Sequence, residues 1–171
     1  MTENLRQELI VTAREMNRSG LNRGTSGNLS VRSGEGMLIT PSGLPYDTLG
    51  EDDIVYLEDG GDEQPNSAGQ RKPSSEWRIH RDVYRARPDA QAILHAHPAY
   101  SMALACLRRP LPAFHYMVAV AGGRDVRCAE YATFGSQALS DHVLQALENR
   151  RACLMANHGI IALARDLAGA L

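Results

Sequence analysis

The most constraining feature of the sequence is the run from Ala90 to His97, apolar apart from Gln91 until it reaches its histidines and bounded by Pro88 and Pro98. A short apolar run between two prolines reads as a buried strand. A second such run, Ala152 to Leu163, reads as a strongly apolar strand interrupted by Asn157-His158-Gly159. Strands apolar on both faces need cover on both, and helices are the usual cover. The chain supplies them. Leu5, Leu9, Ala13 and Met16 recur on one helical face that Ser19-Gly20 ends. Pro73-Ser74-Ser75-Glu76 opens a second helix, with a serine N-cap, an acid in the first turn and Pro88 past its end. Trp77, His80 and Tyr84 share one of its faces.

Further elements follow the same logic. Pro98 starts a helix that turns Met102, Ala105 and Cys106 inward, and Ala138 to Leu147 forms another. A last helix begins at Arg165 and runs to Leu171. Short strands are expected at Leu29–Val31, Met37–Thr40, Ile54–Leu57 and Val126–Ala129, with turn chemistry in PSGLPY. Asp59 to Lys72 is polar and contains glycine, and is expected to be the most mobile stretch. The result is one α/β domain over residues 1–171, a mixed sheet covered by helices.

Composition excludes several classes of function. A net charge of -2 gives no basic face for nucleic acid. No apolar run approaches the roughly 18 residues of a membrane span, and MTENLRQELIV has no secretory cleavage pattern. A cytoplasmic protein is expected. Cys106, Cys128 and Cys153 are scattered among apolar residues and read as small core residues. Lys72, the only lysine, lies beside Arg71 in the polar stretch QRKPSS. Schiff-base chemistry needs a lysine desolvated in a dry pocket, so carbonyl chemistry through lysine is not expected.

What remains is metal chemistry. His95 and His97 are separated by one residue, so on a strand their rings point the same way, about 6–7 Å apart along it. Two imidazoles so placed can lean onto one ion at about 2.0–2.1 Å. A core face does not accept two unpartnered polar rings. His158 also falls inside an apolar run, and Gly159 beside it permits close approach of backbone or ligand. Three histidines on two strands suit a catalytic divalent site with an open position. Glu76 is the acid–base candidate. His80, four residues on, either supports Glu76 or packs, while His115 and His142 read as structural.

At these residues the chain resembles the class II aldolase/adducin family, most of all its bacterial L-fuculose-phosphate aldolases. The likeness runs from about residue 20 to 163 through GTSGNLSVR, MLITPSGLPYDTL, PSSEWRIH, HAHP, FHYMVAVAGG, YATFGSQALS and NHGII. It implies a three-layer fold with a mixed, mainly antiparallel sheet between helices. It also implies a homotetramer whose zinc sites lie in clefts between subunits. His95, His97 and His158 become zinc ligands, with another divalent ion as the alternative, and Glu76 the catalytic acid–base residue. Gly27, Asn28, Ser42, Gly43, Ser74 and Ser75 become the phosphate site, and Tyr116 reaches a neighbouring subunit's site. The residue types agree, because small hydroxyls and backbone N–H groups hold phosphate without lysine. The implied reaction is reversible cleavage of a ketose 1-phosphate into dihydroxyacetone phosphate and an aldehyde, through a metal-stabilised enediolate. Family members continue with two C-terminal helices, so residues 1–171 are read as the single domain without them.

The family also contains other activities. Its epimerases carry aspartate where this chain has Glu76, and a His-Ala-Asp motif that FHYMVAVAGG lacks. Its dehydratases and decarboxylases use a glutamate near this position and stay open as alternatives. Adducin-like heads, which are interaction modules, lack the full histidine set.

Overall fold

The computed structural model describes residues 2–60 and 71–171. Of the loop expected from Asp59 to Lys72, residues 61–70 lie outside the described residues. The strands are β1 (Asn28–Ser33), β2 (Gly36–Ile39), β3 (Val55–Glu58), β4 (Ala92–Ala96), β5 (Cys128–Ala129), β6 (Ala152–Met155) and β7 (Gly159–Ala164). They form one sheet in the order β3-β2-β1-β4-β7-β6-β5. Each neighbouring pair is antiparallel except β5 and β6, which run parallel. The expected mixed, mainly antiparallel sheet is therefore present. β4, the run first singled out, lies at its centre.

The helices are α1 (Thr2–Arg18), α2 (Trp77–Ala86), α3 (Ala99–Cys106), α4 (Gln137–Ala146) and α5 (Leu167–Ala170). Side chains alternate between sheet faces with a period of two, and the two cores follow that parity. Met37, Ile39, Ile93, Cys153, Met155, Ile161 and Leu163 pack with α2 and α4 residues such as Trp77, Val83, Leu139 and Val143. Leu29, Val31, Leu38, Ala92 and Leu94 pack with Leu9, Ala13 and Met16 of α1 and with Leu167 of α5. A smaller cluster on Leu154 and Ile160 is covered by Leu104 and Ala105 of α3 and by Val118.

Several expectations are corrected. The run from Ala152 to Leu163 is two strands, not one, and β6 and β7 pair in register Met155↔Gly159. His158 therefore sits in a hairpin turn, entered through Asn157 at φ 55. On α3 only Ala105 of the three expected residues is buried, while Met102 and Cys106 are exposed. The helix, AYSMALAC, is apolar on nearly every side, so periodicity cannot select its inner face. Of the cysteines, only Cys153 is fully in the core. α2 begins at Trp77, and Glu76 occupies the N-cap position rather than the first turn.

Candidate metal centre

His95 lies on β4 opposite Asn28 of β1, and both share the parity that faces α2. His97 follows just beyond the strand. His158 reaches them from the β6–β7 hairpin, which β7 pairs directly onto β4. The nearest ligand atoms of the three rings lie within 4.8 Å of one another, and ring centroids are 4.7 to 5.2 Å apart. Gly159 makes this approach feasible. A Cβ there would lie 2.5 Å from the Ala96 carbonyl oxygen and 2.6 Å from a His97 ring carbon. Gly27 has a similar role at φ +74, where a Cβ would come within 2.7 Å of the His95 carbonyl oxygen. Its own carbonyl accepts a 2.8 Å hydrogen bond from the Tyr46 hydroxyl.

Glu76 is brought in by the turn that opens α2. The Trp77 N–H donates to the Ser74 carbonyl at 3.1 Å, and the Glu76 N–H donates to Ser74 Oγ at 3.3 Å. The carboxylate then points away from its own helix. Oε2 lies 3.0 Å from His95 Nε2 and accepts from Asn28 Nδ2 at 3.1 Å. Oε1 lies 3.3 Å from His158 Nε2 but finds no hydrogen-bond partner in good geometry, although it is buried. Burial opposes ionisation of this carboxyl. The adjacent His95 and His158 imidazoles and the hydrogen bond from Asn28 outweigh it, and hold the group down at about 2.

The donor set fits a divalent cation. His95 Nδ1 lies 2.9 Å from the Ile160 carbonyl oxygen, which can only accept, so Nδ1 carries a proton. In the neutral ring Nε2 is then a bare lone pair. It faces both Glu76 Oε2 and His97 Nε2, each at 3.0 Å. Three electron-rich atoms converge there, and a positive charge between them relieves the repulsion. Protonation partly answers the same demand: burial alone would depress His95, but the Glu76 carboxylate and the Ile160 carbonyl raise it. His97 is lowered to about 4 by burial and by its histidine neighbours. Burial lowers His158 too. These two rings are thus kept neutral near pH 7, the state in which an imidazole can hold a metal ion.

A cleft of about 360 Å³ opens on these groups. It is lined by Gly27, Asn28, Ser42, Gly43, Ser74 and Ser75 as well as by Glu76, His97 and His158. The Pro41↔Pro73 bridge holds two of these segments side by side, with the Ser74 N–H on the Thr40 carbonyl at 3.0 Å. Ser42 and Ser75 are exposed, and their hydroxyls have no partner among the described residues. Asn28 differs from these serines: its amide is directed at Glu76 and His80. Tyr116 is not brought to this cleft. It is 79% exposed, on a separate concave surface with Phe114, His115 and Val118. Sequence reasoning missed Tyr131, Phe134 and Asn157, which also line the cleft. Exposed loop aromatics give no periodic signal. His115 Nδ1 accepts from the Met117 N–H at 3.2 Å, and His142 Nδ1 lies 3.1 Å from the Glu130 carbonyl oxygen.

Residues 7–171 match the profile of the Class II Aldolase and Adducin N-terminal domain. The chain belongs to the class II aldolase and adducin family. Among relatives of this aldolase-family chain, a 5-methylthioribulose-1-phosphate/5-deoxyribulose-1-phosphate aldolase from Rhodospirillum rubrum is 54% identical over 167 residues. That alignment spans 98% of this chain and 74% of the relative. The L-fuculose phosphate aldolase of Escherichia coli strain K12 is 48% identical, across 98% of this chain and 76% of the other. A solved L-fuculose 1-phosphate aldolase superposes with a TM-score of 0.92 at 48% identity, covering 98% of this chain and 78% of that one. This class II aldolase-family chain is accordingly an enzyme of the lyase class, and its histidine cluster can hold a metal ion. No described helix is long and apolar enough to cross a membrane.

Proposed function

We propose that the protein is a zinc-dependent aldolase that reversibly cleaves a ketose 1-phosphate, of the L-fuculose 1-phosphate type, into dihydroxyacetone phosphate and an aldehyde. The observation that carries this reading is one cleft lined by Glu76, His97, His158 and a rim of serines and glycines, with His95 buried behind it in the same histidine cluster. His95, His97 and His158 would hold the ion. Zinc there would supply a Lewis acid for the enediolate left by carbon–carbon cleavage.

The protein's own groups do the rest. The hydroxyls of Ser42, Ser74 and Ser75 and the backbone N–H groups at Gly27 and Gly43 receive the phosphate by hydrogen bonding, without lysine. That anchor sets the distance from phosphate to the ketose carbons and holds them against the histidines. Glu76, anionic at neutral pH, accepts and returns the proton at the enediol carbon. Tyr116 would serve as proton donor to the aldehyde oxygen of a neighbouring subunit's site, within a cytoplasmic homotetramer. Glu76 and the intact histidine set also favour aldolase over the epimerase and adducin-like alternatives.

The test is a coupled assay for dihydroxyacetone phosphate with purified, zinc-loaded protein. The panel contains L-fuculose 1-phosphate, 5-deoxyribulose 1-phosphate and 5-methylthioribulose 1-phosphate. Release of dihydroxyacetone phosphate from at least one supports the reading. Epimerised or dehydrated product with none released would replace it.

A further inference from the structure

Behind Glu76 runs a chain of buried polar groups that cleavage chemistry does not itself require. Asn28, Ser30, His80 and Glu76 are buried, with His80 and Ser30 fully enclosed, and Tyr84 is nearly so. Asn28 Nδ2 donates to Glu76 Oε2 at 3.1 Å. Asn28 Oδ1 lies 2.5 Å from His80 Nε2. His80 Nδ1 lies 2.6 Å from Ser30 Oγ, and Ser30 Oγ lies 2.9 Å from the Tyr84 hydroxyl. Two strand positions and two helix positions alternate along the chain. Sheet parity places Asn28 and Ser30 on the face toward α2, and a four-residue spacing places His80 and Tyr84 on one side of that helix.

Every proton along this chain has a determined place. The carboxylate only accepts, so the Asn28 NH2 must face it, which turns Oδ1 toward His80. Oδ1 also only accepts, so His80 Nε2 carries the ring proton. Burial pushes the His80 ring down to about 3, so it is neutral and Nδ1 is bare. Ser30 must then donate to Nδ1, which leaves its oxygen to accept from Tyr84 at 2.9 Å, a shorter contact than the 3.4 Å from the Tyr84 hydroxyl to the Gln91 carbonyl oxygen. Each group donates toward Glu76, and the sequence ends on Oε2.

We propose that His80 is a positioning residue for Glu76: it locks the Asn28 amide, and so fixes which carboxylate oxygen is tied to the scaffold and which stays unpartnered. With Oε2 held, Oε1 is the oxygen left to exchange a proton. Ser30 and Tyr84 hold the His80 tautomer. The inference rests on the reading of Glu76 as the acid–base group.

Two measurements test it. Long-range nitrogen–proton correlation on the zinc-loaded protein should show His80 as the Nε2–H tautomer, unchanged between about pH 5 and 8. An Nδ1–H ring, or titration in that range, overturns the relay by itself. In kinetics, His80→Phe keeps a ring and removes both nitrogens. It should lower kcat by about 10–100-fold, with KM and bound zinc within about twofold. His80→Gln, whose amide N–H can replace Nε2–H, should recover most of that loss. A packing role predicts the reverse, with Phe better than Gln, and that order overturns the proposal. In a Glu76→Gln background His80→Phe should change kcat by less than about twofold; an undiminished loss there also overturns it. If His80→Phe does not fold, the tautomer and the Gln variant still decide. Full turnover in Glu76→Gln sinks the acid–base reading, and this inference with it, whatever the tautomer.

Discussion

At the residue scale, Glu76 is the group whose environment is most decisive. Its carboxylate is held ionised because histidines and Asn28 face it, and it lies within 3.0 Å of His95 and 3.3 Å of His158. Glu76→Gln should retain bound metal and lower kcat by about 10²–10⁴-fold, measured by metal analysis beside the coupled assay. Loss of metal would make it a ligand instead. His80 gives a pH signature. Its folded pKa, about 3, lies below the ordinary 6.5, so between those values the unfolded chain binds a proton that the folded one does not. Stability from this group is complete above about pH 6.5 and falls as the pH drops toward 3, by about 1.4 kcal/mol per pH unit. Urea unfolding at pH 7 and pH 5 should show a smaller difference for His80→Phe than for the unaltered protein. Neither role was fully legible in the sequence. Ser74-Ser75-Glu76 has the composition of a helix start, and a turn that aims its glutamate at distant histidines has the same composition. Nothing local to Glu76 names Asn28 or His95, which the sheet supplies.

At the element scale, strand parity was the legible part. The spacing of His95 and His97 follows from a period of two, and β4, buried along its whole length, lies at the sheet centre that an apolar run requires. The hairpin at His158 was not separable from a continuous strand, because both of its arms are apolar and no Asn-Gly or Asp-Gly turn marks the reversal. Gly159 carried the usable signal, since the contact it permits is now visible. Gly159→Ala should force the hairpin away from β4. It should weaken metal affinity by about tenfold or more and destabilise the fold by about 1–3 kcal/mol. Calorimetry with and without zinc, and competition against a chelating dye, measure the two effects. A substitution without effect on either would show that the hairpin is looser than its contacts indicate.

At the scale of the whole molecule, one surface stands out. Tyr100 is 91% exposed, Phe114 71% and Val120 61%. They belong to α3 and to the segment through the Tyr116–Ala121 turn, which cover the same small cluster. An apolar surface of this kind suits a protein contact, and the proposed homotetramer would use it, bringing Tyr116 to a second subunit's cleft. Val120→Arg should lower the mass found by sedimentation equilibrium and reduce kcat/KM, with zinc content unchanged. A species of unaltered mass would exclude this face from the assembly. Its apolar residues were plain in the sequence, but a single chain's pattern does not distinguish a core face from a contact face. The same ambiguity underlies the expectation that Met102 and Cys106 of α3 turn inward.

The register Asn28↔His95 has a consequence for folding fidelity. A slip of one residue between β1 and β4 moves every side chain of the slipped strand to the opposite face. If β1 slipped, Asn28 and Ser30 would meet Leu9, Ala13 and Met16 of α1, where no polar partner waits. If β4 slipped, His95 would meet the same apolar wall. Each mispaired sheet would strand polar groups at a cost of about 1–3 kcal/mol apiece. The residues that prepare Glu76 for chemistry therefore also act as a proofreading key for the sheet: a chain that mispairs is penalised before it has a site to lose.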